Sequence, residues 1–319
     1  MSIASTPPIV VSPEVREALA EGHPVIGLES VVLTHGLPAP ENSQSAWRAA
    51  RAAREAGVVS ATIGVIDGKI RVGLHDEELK RLADPEAPCA KLGVRDLAVA
   101  MVKGLTGGTT VSATAWIASR VGIRVMATGA IGGVHPGWSE HGDVSSDLIV
   151  LSQAPVAIVS AGAKAVLDLP ATLERLESLA VPVVGLRTAE FPGFYYNETG
   201  LPLELVAEDE AEVARIFRAH RAIGRKGGLL VANEVPRAVA LEASEVQGAV
   251  EAATARAREE GVHGKALTPF LLESLREQLG PGAVAVNLAI LEANARAAAN
   301  LACHVAREVP PPPLGQEGA

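Results

Sequence analysis

Short apolar runs alternate with longer segments of helical period along most of the chain. The runs PVIGLES (24–30), ATIGVID (61–67), KIRVGL (69–74), RVMATG (124–129), VAIVSAG (156–162), VPVVGL (181–186) and GGLLVANEV (227–235) are rich in Val and Ile, as strands covered on both faces are. Apolar residues at helical spacing fill 41–57, 76–84, 112–121, 171–180, 208–221, 243–260, 268–279 and 284–307. This alternation predicts an α/β layered fold around a mostly parallel sheet. Asp67-Gly68 between two of the runs predicts a tight hairpin, which makes the sheet mixed.

No Gly/Ser-rich linker divides the chain, and residues 1–305 are expected to form one domain. The irregular stretch RTAEFPGFYYNETGLPL (187–203) holds both tyrosines and reads as a functional loop or lid. The proline-rich segment 306–319 reads as an extended, disordered tail. Charge narrows the function classes: 28 basic against 37 acidic residues, with 3% aromatics, fit neither a nucleic-acid binder nor a stacking platform. Cys89 and Cys303 suit neither a disulfide framework nor a four-ligand zinc site. The start of the sequence has no signal-peptide pattern and no run reaches membrane-spanning length, so a reducing cytoplasm is the expected location. Only seven of the basic residues are lysines, which draws attention to any lysine with apolar neighbours.

In open parallel sheets, ligands bind beyond the carboxyl ends of the strands. The first run delivers Glu29 there, either as a solvated strand-end carboxylate or as a buried one whose raised pKa suits a general acid. The run at 156–162 leads to Lys164 among small apolar residues. Desolvation turns such an ammonium into a nucleophilic amine; the alternative is a lysine that snorkels to solvent or pairs with Asp168. Gly-Gly-Thr-Thr (107–110) reads as a glycine turn opening a helix, which is an ordinary N-cap or an anion site involving Thr109 and Thr110. The turn ATGAIGGVHPG (127–137) lacks the dinucleotide spacing; its glycines imply close approach to a ligand or to other protein atoms, and His135 is a candidate proton shuttle or ligand. Asp143 and Asp147, four apart, flank Ser145 and Ser146; Asp143 is either a helix cap or the single carboxylate that holds Mg²⁺ or Mn²⁺ with water. Asn287 and Asn294 share one face of the last helix and contact either a ligand or a neighbouring loop.

Together these segments resemble the pseudouridine-5′-phosphate glycosidases, also called the indigoidine synthase A-like family. The match is carried in order by LES-VVLTHGLPAPEN (28–42), ATIGVIDGKIRVGL (61–74), K-LGVRDL (91–97), GGTTVSAT (107–114), ATGAIGGVHPG (127–137), DVSSDL (143–148), SAGAKAVLDLPATLERLE (160–177), GGLLVANEVP (227–236), GKALTPFLL (264–272) and NLAILEANARAAANLA (287–302). The resemblance implies a three-layer α/β/α fold, a homotrimer and one divalent cation per subunit, usually Mn²⁺. It implies an enzyme, classed by convention as a carbon–oxygen lyase, that reversibly splits pseudouridine 5′-phosphate into uracil and ribose 5-phosphate. By motif, Glu29 corresponds to the proton donor, Lys164 to the nucleophile, and Asp143 to the metal-binding residue. Lys91, Val111, Ser145, Ser146 and Asp147 correspond to substrate-binding positions, and Asn287 to an asparagine of the site. The Gly107–Thr110 turn and Lys91 are expected to hold the phosphate. The chain departs from the usual pattern at Pro136, at Ser146 and at Leu92-Gly93-Val94-Arg95, all on the phosphate and metal side.

Overall fold

The computed structural model describes residues 9–262 and 267–306. Eleven strands join in one sheet: β1 (Ile9–Val11), β2 (Val25–Leu28), β3 (Val59–Ile66), β4 (Lys69–Val72), β5 (Ala90–Leu92), β6 (Gly107–Thr109), β7 (Val125–Ala127), β8 (Ala157–Ser160), β9 (Val183–Leu186), β10 (Leu205–Ala207) and β11 (Leu229–Asn233). The order is β1-β4-β3-β2-β7-β8-β11-β9-β10, with β6 and then β5 branching from β3. Among the strand pairs of the described residues only β3–β4 and β3–β6 are antiparallel, so the sheet is mixed and mostly parallel, as expected. Asp67 and Gly68 turn β3 into β4, both with positive φ (48° and 73°), the backbone twist that a two-residue hairpin needs.

Four strands were not anticipated: β1, β5, β6 and β10. Each has three residues, too few to display a period of two. β6 corrects the glycine-turn reading of Gly107–Thr109: the segment is extended and pairs with both β3 and β5. Its glycines serve that packing. A Cβ at Gly108 would lie 2.5 Å from Thr34 Oγ1 and 2.7 Å from the Ser30 carbonyl. The helix begins only at Val111, with Thr110 as its N-cap residue.

Two helical layers cover the sheet. On one face, helices Glu41–Glu55, Glu210–Ala222 and Pro281–Ala306 pack over Ile26, Leu28, Val125, Val159 and Val231. Ala49, Ala52 and Ala53 meet Ala295, Ala298 and Ala302 there, and such small side chains let helices and sheet approach closely. On the other face, helices Val111–Val121, Ser146–Leu151, Leu169–Ser178, Ala243–Glu259 and Leu267–Leu279 enclose the larger core around Ile63, Met126 and Ile158. This is the three-layer α/β/α arrangement. The chain runs from β2 to β3 on one side and returns to β7 on the other side of β2. Connections therefore diverge at the carboxyl ends of β2 and β7, where a crevice opens. The segment 306–319 falls outside the described residues from 307 onward.

Candidate active site

A cleft of about 1210 Å³ lies over that crevice. Glu29 follows β2 at its floor, and the next residues leave the strand through a single π-turn, Val32–Gly36, which places His35 on the cleft wall. Burial pushes the Glu29 carboxyl from its ordinary 4.5 up to about 7, and Asp147 adds to the rise. A hydrogen bond from Thr128 and the cations Lys164 and Lys91 oppose it. Thr128 lies at the end of β7, and its Oγ1 donates to Glu29 Oε1 across the strand divergence.

Lys164 enters the cleft from beyond β8. Its neighbours Ala163, Ala165 and Val166 are buried, whereas Lys164 itself is half-buried and opens on the cavity. The alternative pairing with Asp168 is not made: Asp168 caps helix Leu169–Ser178 by accepting from the Ala171 N–H. The chain is brought out of the sheet by Gly162, whose φ of 68° and contact with the Pro192 carbonyl leave no room for a Cβ. Lys91 comes from β5, opposite Gly108 of β6. Lys91 is exposed at the cleft, yet the desolvation it suffers there lowers its pKa and nearby Lys164 lowers it further, against Asp147 and Glu29.

Thr110 and Val111 line the cleft at the start of helix Val111–Val121, and Asn287 faces it from helix Pro281–Ala306. Thr109 is elsewhere: it is fully buried, its hydroxyl donates to the Ile63 carbonyl at 2.6 Å, and it forms no part of the cleft wall. Asn294 satisfies a neighbouring loop through the Thr128 and Gly129 carbonyls.

The stretch 143–147 forms another wall. Ser145 caps helix Ser146–Leu151 by accepting from the Asp147 N–H. Ser146 Oγ donates to Ser112 Oγ, which also meets Thr110 Oγ1, so the buried Ser112 hydroxyl links two that line the cleft. Asp147 is 5% exposed, and its two oxygens each accept a backbone N–H at 2.8 Å, from Ser112 and from Gly132. It clasps the first turn of one helix to the glycine-rich turn. The glycines of that turn admit side chains: a Cβ at Gly132 would lie 2.4 Å from Ser145 Oγ, and one at Gly133 2.4 Å from Thr172 Oγ1. His135 sits beside Asp143, joined through a backbone hydrogen bond to its carbonyl. Burial lowers the His135 pKa, with Asp143 opposing.

No group of three or more His, Cys, Asp or Glu side chains among the described residues is placed to hold a metal. Asp143 lines the cleft wall beside His135. A single carboxylate there fits a hard cation that keeps most of its hydration shell, and does not fit a closed protein cage.

The stretch 187–203 is a packed element and not a loose lid. Phe191, Phe194, Tyr195, Tyr196 and Asn197 are buried, and Asn197 exchanges two hydrogen bonds with the Val235 backbone. Phe194 and Tyr195 line the cleft with ring centroids 4.5 Å apart. Phe194 holds a φ of 70°, a strained position for an aromatic residue, and its ring abuts Gly129. Sequence reasoning missed Thr128 and Ser112, which meet Glu29 and Ser146 from behind the cleft wall, and Arg276, which lines it. For Thr128 a signal existed, since it ends a strand next to the one that delivers Glu29.

The chain matches the family model described as indigoidine synthase A like protein over residues 14–304. A protein from Myxococcus xanthus named pseudouridine-5′-phosphate glycosidase is 47% identical, over 93% of this chain and 98% of its own. One of the same name from Caldanaerobacter subterraneus is 45% identical, over 92% and 95%. Among solved structures, an indigoidine synthase A-like protein from Thermotoga maritima aligns at a TM-score of 0.86 with 35% identity, covering 96% of this chain and all of that one. A prealnumycin C-glycosynthase in complex with ribulose 5-phosphate also aligns at 0.86, with 34% identity over 93% of this chain and 97% of that one. The chain belongs to the indigoidine synthase A-like family.

Proposed function

We propose that the protein reversibly cleaves the C–C glycosidic bond of pseudouridine 5′-phosphate, giving uracil and ribose 5-phosphate. The relatives at 45–47% identity over almost the whole chain bear that name. The observation that carries the reading is the pairing of Glu29, with a pKa of about 7, and Lys164 on one cleft. A C–C glycosidic bond has no leaving heteroatom to protonate, so a two-carboxylate mechanism does not suffice. A carboxyl still protonated near neutrality can donate to the ribose ring oxygen. The C1′–O4′ bond then breaks, and the Lys164 amine bonds to C1′. The nitrogen lone pair next expels uracil: the C1′–C5 bond breaks, its electrons pass to the base, and C5 takes a proton. Water hydrolyses the remaining iminium to ribose 5-phosphate and frees the lysine.

In this reading Lys91, with Thr110 and Val111 at a helix start, binds the phosphate, and Asn287, near Phe194 and Gly129, meets the base; that all of them line one cleft supports it. Asp143 would hold Mn²⁺ or Mg²⁺ through one carboxylate, supplying positive charge to substrate oxygens. A homotrimer and a cytoplasmic location complete the reading. Apolar side chains exposed on helix Leu97–Lys103, Val99 and Val102, supply surface for self-association, and no described helix is long and apolar enough to cross a membrane.

Incubation with pseudouridine 5′-phosphate and Mn²⁺ is expected to release uracil, whereas uridine 5′-phosphate releases none. Borohydride with ribose 5-phosphate is expected to add a stable mass to the Lys164 peptide. No uracil refutes the reaction, and no adduct refutes the covalent step. The similarity to a C-glycosynthase favours a second reading, in which bond formation is the working direction. Accumulation of pseudouridine 5′-phosphate from uracil and ribose 5-phosphate at equal concentrations would support it.

A further inference from the structure

Glu29 is the last member of a polar chain, buried at its middle, that crosses four elements. At the end of β11, Asn233 Nδ2 donates to Asn294 Oδ1 at 2.9 Å. Asn294, fully buried on helix Pro281–Ala306, donates to the Thr128 carbonyl at 2.7 Å and reaches the Gly129 carbonyl at 3.3 Å. Thr128 is 1% exposed, its N–H is bonded to the Val159 carbonyl of β8, and its hydroxyl donates to Glu29 Oε1. An amide on a helix face otherwise lined by Ala295 and Ala298 is costly unless it is satisfied.

We infer that Thr128 and Asn294 are positioning residues for the proton donor. Asn294 fixes the backbone of Thr128, and the Thr128 hydroxyl fixes the Glu29 carboxyl with Oε1 as acceptor, leaving Oε2 as the oxygen that carries the proton. The torsion at a carboxyl is otherwise broad, so a single hydrogen bond decides which oxygen is the acid. The inference rests on the proposed function only for the word donor. The arrangement of the carboxyl stands on the hydrogen bonds themselves.

The hydroxyl also favours the ionised carboxylate, against burial. The charged groups that face Glu29 are Lys164 beyond β8, Lys91 of β5 and Asp147 of helix Ser146–Leu151, and all three remain when Thr128 is changed. Thr128→Val therefore raises the Glu29 pKa by about one unit, the size of one charge-assisted hydrogen bond. An acid works only while protonated, so the alkaline limb of the kcat profile moves up by the same amount. At the optimum kcat falls about tenfold, part of what a well-placed general acid contributes, and KM stays within twofold. Thr128→Ser restores both. Asn294→Ala lowers kcat alone but adds less than twofold on top of Thr128→Val, because both act through one hydroxyl. Where Asn294→Ala fails to fold, Asn233→Ala breaks the same chain more gently and is expected to show the same non-additivity.

The assay is uracil release against pH, joined to an infrared titration of the protonated carboxyl band, assigned by subtraction of Glu29→Gln. An unmoved band and an unmoved limb in folded Thr128→Val overturn the inference. So do multiplicative effects of Thr128→Val and the asparagine change. If no variant and no wild-type protein releases uracil, the proposed function fails, while the infrared band still decides the arrangement of Glu29.

Discussion

Asp147 separates two uses of a carboxylate on a cleft wall. By resemblance it is a substrate contact, whereas its geometry makes it a clasp. Each oxygen accepts one backbone N–H at 2.8 Å, from Ser112 at the start of helix Val111–Val121 and from Gly132 in the glycine-rich turn. Asp147→Ala leaves both N–H groups buried without partners, at about 1–3 kcal/mol each. Relief from burying a carboxylate returns part of this, so a net loss of roughly 2–4 kcal/mol is expected. For a chain of this size that is a drop in melting temperature of about 3–6 °C. Asp147→Asn is expected to lie between, because the amide nitrogen faces an N–H that it cannot accept. Urea unfolding at fixed protein concentration reads the loss as a lower midpoint with an unchanged slope. A folded Asp147→Ala of wild-type midpoint, with KM raised more than tenfold, refutes the clasp and makes Asp147 a direct ligand.

Three shorter tests follow from the same cleft. Lys164→Arg is expected to keep the fold and lose turnover by more than a thousandfold, because a guanidinium has no free lone pair at neutral pH; substantial activity would contradict the covalent step. Glu29 has its pKa raised in the folded state from 4.5 to about 7, so the stability linked to its proton is present below pH 4.5 and lost as pH rises through 7. Glu29→Gln does not titrate, so its stability advantage over wild type is expected to grow from pH 5 to pH 8 by on the order of 3 kcal/mol; a constant difference refutes the burial argument. Removing divalent cations with a chelator should abolish activity, and Asp143→Ala should weaken Mn²⁺ binding measured by calorimetry at least tenfold; unchanged affinity would place the cation elsewhere.

Legibility in the sequence followed length and chemistry. Seven of the eleven strands were visible because their Val/Ile runs span enough residues to stand out, and the hairpin was visible because Asp67-Gly68 suits only a few backbone shapes. β1, β5, β6 and β10 were not, because three residues carry no period. β6 was the harder case: glycines chosen so that Ser30, Val31 and Thr34 can lie against the strand look the same in sequence as glycines chosen for a phosphate. The irregular stretch 187–203 was legible as part of the site, and its rigidity was not, since that comes from Asn197 bonding to Val235, 38 residues away.

The same ambiguity runs through the site residues. Glu29 and Lys164 could be singled out because each lies just beyond the carboxyl end of a strand, and that end of a parallel sheet faces the crevice whatever the rest of the chain does. Thr109, Asp147 and Asn294 carry groups that suit a ligand equally well, yet their partners are the Ile63 carbonyl, two backbone amides and the Thr128 carbonyl. A crevice formed by diverging strands has few neighbouring backbone groups to satisfy its own loops, so polar side chains must close the loops before any of them can meet a substrate. Thr128 shows the two demands meeting in one residue, with its backbone held by the scaffold and its hydroxyl on the carboxyl that does the chemistry. Residue type tells that a position is polar for a reason. Only the register of β2 against β7, with Leu28 opposite Ala127, tells that Thr128 and Glu29 belong to the same reason.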